Sequence, residues 1–103
     1  RALPIVEYMV EQYPDFYMGW YNVGLARDAV NDTDGALQAY ERAVELEPLQ
    51  PSRDASIYNT YGYLLLRQER LEDAERMLQT ALDINPEHPT AARNLKAVRA
   101  LME

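Results

Sequence analysis

Three features of this 103-residue chain hold side chains that could do chemistry. Asp32-x-Asp34-Gly35 followed by Glu41 matches the later part of a calcium loop, in which spaced carboxylates and a glycine turn wrap oxygen ligands round a cation. The first-ligand position there holds Val30, however, so the expectation is a tight turn between helices, with Asn31 able to take a left-handed conformation. His88 is the sole histidine and sits between Glu87 and Pro89, where a helix start is expected. With no Cys and few Ser, no nucleophile–base pair is available, so no catalysis, no cofactor and no metal are expected within these residues. The third feature is a set of eight Tyr, which could form a stacking surface or fill a core.

Composition sets the limits on partners. Apolar residues make up 48% and charged residues 26%, as in an ordinary folded domain of this size. Net charge is −7, and it is uneven: residues 1–51 hold 3 basic and 9 acidic side chains, residues 52–103 hold 7 and 8. Such a chain repels phosphate backbones, so nucleic acid is not an expected partner. Arg93, Lys96 and Arg99 form a small basic cluster that reads as a solvated helix face. No apolar run approaches the roughly 18 residues a bilayer span needs, so no membrane insertion is expected. Lack of Cys means no disulfide framework and fits any redox compartment. The first residues lack Met and carry helical periodicity at once, which points to a piece of a longer chain.

Internal repetition decides the architecture. Trp20-Tyr21-Asn22-Val23-Gly24 aligns with Tyr58-Asn59-Thr60-Tyr61-Gly62, each an aromatic, then a large apolar residue three later, then Gly. The alignment continues with Ala36, Tyr40, Ala43 and Pro48 against Ala74, Leu78, Ala81 and Pro86. This pattern resembles the tetratricopeptide repeat, an aromatic-x2-Leu-Gly … Ala-x3-Phe … Pro signature with a period of about 34 residues. In the same frame Ala2, Val6 and Pro14 fit the end of a preceding repeat, and Pro89-Thr90-Ala91-Ala92-Arg93-Asn94-Leu95 begins a further first helix. The organisation expected is residues 1–14 as the second helix of a truncated repeat, 15–48 and 55–88 as full repeats, 49–54 as an inserted linker, and 89–103 as a capping helix. The two aromatics lie 38 apart rather than 34, so four extra residues fall near Pro51, with Ser52 expected as N-cap of an extended helix.

The physics of the pattern is self-consistent. Residues 34–46 place Leu37, Tyr40, Ala43 and Val44, with Glu47 next, at three- and four-residue steps, an amphipathic helix whose carboxylates should face outward. Gly24 and Gly62 cost about 1 kcal/mol each against Ala mid-helix, which close approach by a neighbour would offset. Pro48 and Pro86 should end their helices by disfavouring helical geometry in the residue before. Six helices are expected, near 2–13, 15–30, 34–47, 52–68, 71–84 and 89–102. The fold class is all-α, and the resemblance implies a right-handed solenoid of antiparallel helix pairs.

The resemblance also implies a site. In this family partner peptides lie in a groove formed by first helices, which by motif position selects Tyr21, Asn22 and Leu25, then Asn59, Tyr63 and Arg67, then Arg93 and Asn94. Members that clamp a terminal carboxylate of chaperones carry Lys, Asn and Arg where this chain has Tyr21, Leu25, Thr90 and Asn94, so that clamp is absent. An Asn side chain can donate to a carbonyl and accept from an N–H of one extended backbone, giving sequence-tolerant recognition. Under that reading Asn22, Asn59 and Asn94 grip peptide backbone, Tyr21 and Tyr63 give apolar contact, and Arg67 and Arg93 favour an acidic residue. The plainer reading is that surface Asn is common on such helices and that most Tyr, Tyr40, Tyr58 and Tyr61 among them, are core. The partner expected is another protein or peptide segment. The alternative function is self-assembly into homo-oligomers through open ends or a convex face.

Overall fold

The computed structural model describes residues 12, 15–49 and 53–103, and among these it is all-helical, with five α-helices and no strand. The chain divides into two compact units, residues 1–51 and 52–103. The helix expected over residues 2–13 falls almost wholly outside the described residues, as does Ser52.

Among the described residues, the first unit holds a helical hairpin of α1 (Tyr17–Ala29) and α2 (Thr33–Leu46), followed by a 3₁₀ turn at Glu47–Leu49. The turn between the helices forms because Asn31 accepts a left-handed backbone, φ 65°. Its N–H then bonds Asp28 O at 3.0 Å while Asp32 N–H bonds Arg27 O at 2.8 Å, a Schellman closure of α1. Asp32 immediately starts α2: its carboxylate accepts from the Gly35 N–H at 3.0 Å. The Asp32–Gly35 stretch is thus a capped helix start, and its geometry is not an open cation loop. Val23, Ala36, Ala39, Tyr40 and Ala43 are buried at this hairpin's core. A Cβ on Gly24 would overlap the Tyr40 ring, so the absent side chain is what lets the aromatic lie on α1.

The second unit holds α3 (Ala55–Arg67), α4 (Leu71–Ile84) and α5 (Pro89–Met102). α4 packs on both α3 and α5, with a smaller contact between α3 and α5. The same Schellman closure ends α3, with Glu69 at φ 61°, its N–H on Leu66 O at 3.0 Å and Arg70 N–H on Leu65 O at 2.9 Å. Gly62 lies under Leu78, whose Cγ would be 2.8 Å from a Cβ built there. Ile57, Tyr58, Leu64, Leu65, Ala74, Leu78, Ala81, Ala91, Leu95 and Val98 form the core. At the start of α4, Asp73 accepts from the guanidinium groups of Arg76 and Arg70. The hydrogen bond from Arg76, more than any other influence, holds the Asp73 carboxyl below its ordinary value. Arg99 ties α5 to α4 through Glu75 at 3.1 Å and Gln79 at 3.0 Å.

Three expectations need correction. α3 begins at Ala55, not at 52: Asp54 takes an extended backbone and its carboxylate accepts from the Ser56 N–H at 3.0 Å. Asp54 is therefore the cap itself, and Arg53 and Asp54 lie outside the helix. Glu47, which shares the stripe of Tyr40 and Ala43, is 0% exposed, so the expectation that carboxylates face outward fails at this residue, where the helical period carries it inward. Pro48 does not push its predecessor out of helical geometry, since Glu47 keeps φ −58°, ψ −42° and the chain tightens into the 3₁₀ turn. Pro86 acts as expected, with Asn85 extended at φ −134°, ψ 91°. No helix among the described residues is long and apolar enough to cross a membrane.

Candidate functional site

The exposed side of α3 and α5 in the second unit carries an open groove of about 380 Å³ lined by Asn59, Thr60, Tyr63, Thr90, Arg93 and Asn94. Helical spacing explains the lining on α3. Tyr58, Tyr61 and Leu65 are buried, which turns Asn59, Thr60 and Tyr63 toward the other side. On α5, Ala91, Leu95 and Val98 are buried in the same way, leaving Thr90, Arg93 and Asn94 for the groove. The start of α5 is fixed by Pro89 at its first position and by His88, whose Nδ1 accepts from the Ala91 N–H at 3.1 Å. The one histidine of the chain is thus a helix cap.

Across the groove Asn94 Nδ2 donates to Asn59 Oδ1 at 3.1 Å. Neither amide has another hydrogen-bond partner among the described residues. The pair therefore retains both N–H donors of Asn59 and one of Asn94, and acceptor capacity on both oxygens, with that of Asn94 wholly unused. Tyr63 is 47% exposed, and the Arg67 guanidinium carbon lies 5.2 Å from its ring centroid, a cation–π contact that stiffens both side chains. Arg93 is exposed and makes no ion pair among the described residues.

Of the eight residues expected at the site, four (Asn59, Tyr63, Arg93 and Asn94) line this one groove, and Arg67 joins it through Tyr63. Tyr21, Asn22 and Leu25 belong to the first unit. There Asn22 is exposed and Leu25 is 42% exposed. Tyr21 is half-buried and packs its ring on Tyr40, centroids 5.9 Å apart, so it serves the hairpin's own packing. The signal for that contact was present in the sequence: Gly24 beside a core Tyr40 leaves room on α1 for a ring, and Tyr21 is three residues away. The Asn59–Asn94 bond had no such signal, because it depends on how α3 and α5 approach one another over α4.

Two family models described as tetratricopeptide repeat match the chain, over residues 29–98 and residues 1–52. The chain belongs to the tetratricopeptide repeat family. Among solved structures it is similar to the Yersinia enterocolitica type III secretion chaperone SycD in complex with a peptide of the translocator YopD. The TM-score is 0.82 at 16% sequence identity, covering 97% of this chain and 79% of that one, a likeness of fold. No curated protein sequence matches the chain.

Proposed function

We propose that this chain is a non-catalytic protein-interaction module whose first helices take up an extended segment of another protein. The observation that carries the reading is the α3/α5 groove, where an amide pair with spare donors and acceptors stands beside an exposed, stiffened Tyr63. An extended peptide presents just such an alternation of carbonyl and N–H, so backbone recognition asks little of its sequence. Family membership supports the reading, as does the peptide of another protein bound by the chaperone of like fold. The proposal includes what the family implies for the chain: repeats at 15–48 and 55–88, six helices in a right-handed solenoid, and Tyr21, Asn22 and Leu25 as further partner-binding residues.

Selection of random phage-displayed peptides against the whole chain, wild type beside Asn59→Ala/Tyr63→Ala, tests it. Peptides retained by wild type and lost by the variant are expected. Failure to retain any peptide, or equal retention by both, would remove the groove from consideration.

A second reading has its own observation. Leu101 and Met102 are 63% and 41% exposed at the end of α5, near an apolar depression of about 430 Å³ lined in part by Leu82, Ala92, Leu95 and Ala100. Covering that face with a second copy would give homo-oligomers. Light scattering should then show mass rising with concentration, and Leu101→Glu should suppress the rise; a concentration-independent monomer would end this reading.

A further inference from the structure

We propose that the α3/α5 groove selects segments carrying an acidic side chain, with Arg93 reading the carboxylate while the Asn59–Asn94 pair holds the neighbouring peptide unit. The inference rests on the groove reading above and adds the chemistry of the partner. It starts from an anomaly of charge. The chain carries −7 overall, yet the six groove residues include no carboxylate and one guanidinium.

The other cations of the second unit are committed elsewhere. Arg70 and Arg76 serve Asp73, Arg99 serves Glu75 and Gln79, and Arg67 lies over Tyr63. Arg53 has contacts of its own. Arg93 and Lys96 make no ion pair among the described residues, and of these two only Arg93 lines the groove, Lys96 lining the apolar depression instead. Arg67 and Arg93 therefore do different work. Arg67 makes a wall with Tyr63, and Arg93 offers a planar fork suited to two carboxylate oxygens.

The ligand class follows from the two functions side by side. The amide pair can donate to a carbonyl and accept from an N–H, the fork asks for a carboxylate, and an extended peptide with Asp or Glu supplies all three within a few ångströms. A polyanion would satisfy the fork but would meet the repulsion of the whole acidic chain, whereas a single carboxylate feels chiefly its local cation.

The test extends the phage selection to Arg93→Gln, with the whole chain as bait in each case. Asp and Glu should be enriched over the starting library on wild type, and the enrichment should vanish on Arg93→Gln while peptides are still recovered. A recovered peptide and its Glu→Gln version, both fluorescently labelled, should differ by about fivefold in affinity for wild type and not at all for Arg93→Gln. Arg93→Lys should keep part of the preference, since it retains charge without the fork. Circular dichroism of each variant confirms folding, which an exposed residue without partners should not disturb. Peptides recovered without acidic enrichment, or a Glu preference that survives in Arg93→Gln, would overturn the assignment and leave the groove reading standing. Recovery of no peptide at all would overturn both.

Discussion

The hairpins α1–α2 and α3–α4 reach one backbone solution with different residues. Both turns close by the same pair of Schellman bonds, with a left-handed residue at φ 65° in one and 61° in the other. Asn31 fills that position in the first hairpin and Glu69 in the second. The following helix is capped by Asp32 in the first, whereas Arg70 in the second makes no side-chain cap and pairs with Asp73. Gly24 faces the Tyr40 ring and Gly62 faces Leu78. At their ends the hairpins part: Glu47 stays helical and buried, and Asn85 is extended and exposed. What the repeat enforces is backbone geometry and the absence of volume at the glycine. The partner that fills the space, the cap and the exit are left to each copy.

The largest effect should come from breaking the shared constraint. Gly24→Ala places a methyl inside a buried aromatic ring that has no flexible end to move. Overpacking costs about 3 kcal/mol at such a rigid site, and the gain in helix propensity returns about 1, for a net loss near ~2 kcal/mol. Gly62→Ala meets Leu78, which can repack, and should lose about 1 kcal/mol. Urea unfolding of both variants measures the difference. In a Tyr40→Leu background, which copies the second hairpin, the cost of Gly24→Ala should fall to that of Gly62→Ala. If it does not, the aromatic is not the obstacle.

This pairing also marks what could be read in advance. The glycines, the small Ala43 and Ala81 and the bounds of α4 and α5 follow from spacing alone, because they obey local periodicity and turn chemistry. At Glu47 the stripe and the residue type gave opposite answers, and packing favoured the stripe over the rule that carboxylates face outward. Asp54 displaced Ser52 as cap because either could satisfy a free N–H and nothing local chose between them. At the site, Asn59, Tyr63, Arg93 and Asn94 were selected by motif position in the family resemblance, and helical spacing agrees with it in turning them away from the core. Their hydrogen bonding was not legible, as it is set by the approach of two helices that do not adjoin in sequence.

A smaller effect should sharpen the comparison at the turns. A left-handed backbone costs a residue with a Cβ about 1–2 kcal/mol, less for Asn, whose short polar side chain can bond locally. Replacement by Gly removes that strain but adds freedom to the unfolded chain, an opposing term of about 0.5–1 kcal/mol. Glu69→Gly should therefore stabilise the protein by about 0.5 kcal/mol, while Asn31→Gly should change it by about 0.2 kcal/mol or less. Thermal melts of the two single variants decide this; equal shifts would mean that the two turns are equally strained.

The smallest effect separates the two helix starts by pH. Asp73 is held below its ordinary value chiefly by the Arg76 hydrogen bond, with Arg70 adding to it. A carboxyl with a depressed folded-state value contributes stability that is present above its unfolded value, near about 3.9, and lost as pH falls through the folded value. The side chain is 36% exposed, so solvent and salt screen the contribution to about 0.3 kcal/mol. Asp73→Asn should thus lower stability slightly at neutral pH, less in high salt, and match wild type once the pH is below both values. Asp32→Asn should show a much weaker dependence on salt at neutral pH, because its side-chain oxygen can still accept from the Gly35 N–H without a charge. Parallel urea titrations of the two variants at neutral and acid pH, with and without added salt, measure both. A salt-independent loss in Asp73→Asn would mean that the arginine pair does not stabilise α4, and that both helix starts depend on backbone capping alone.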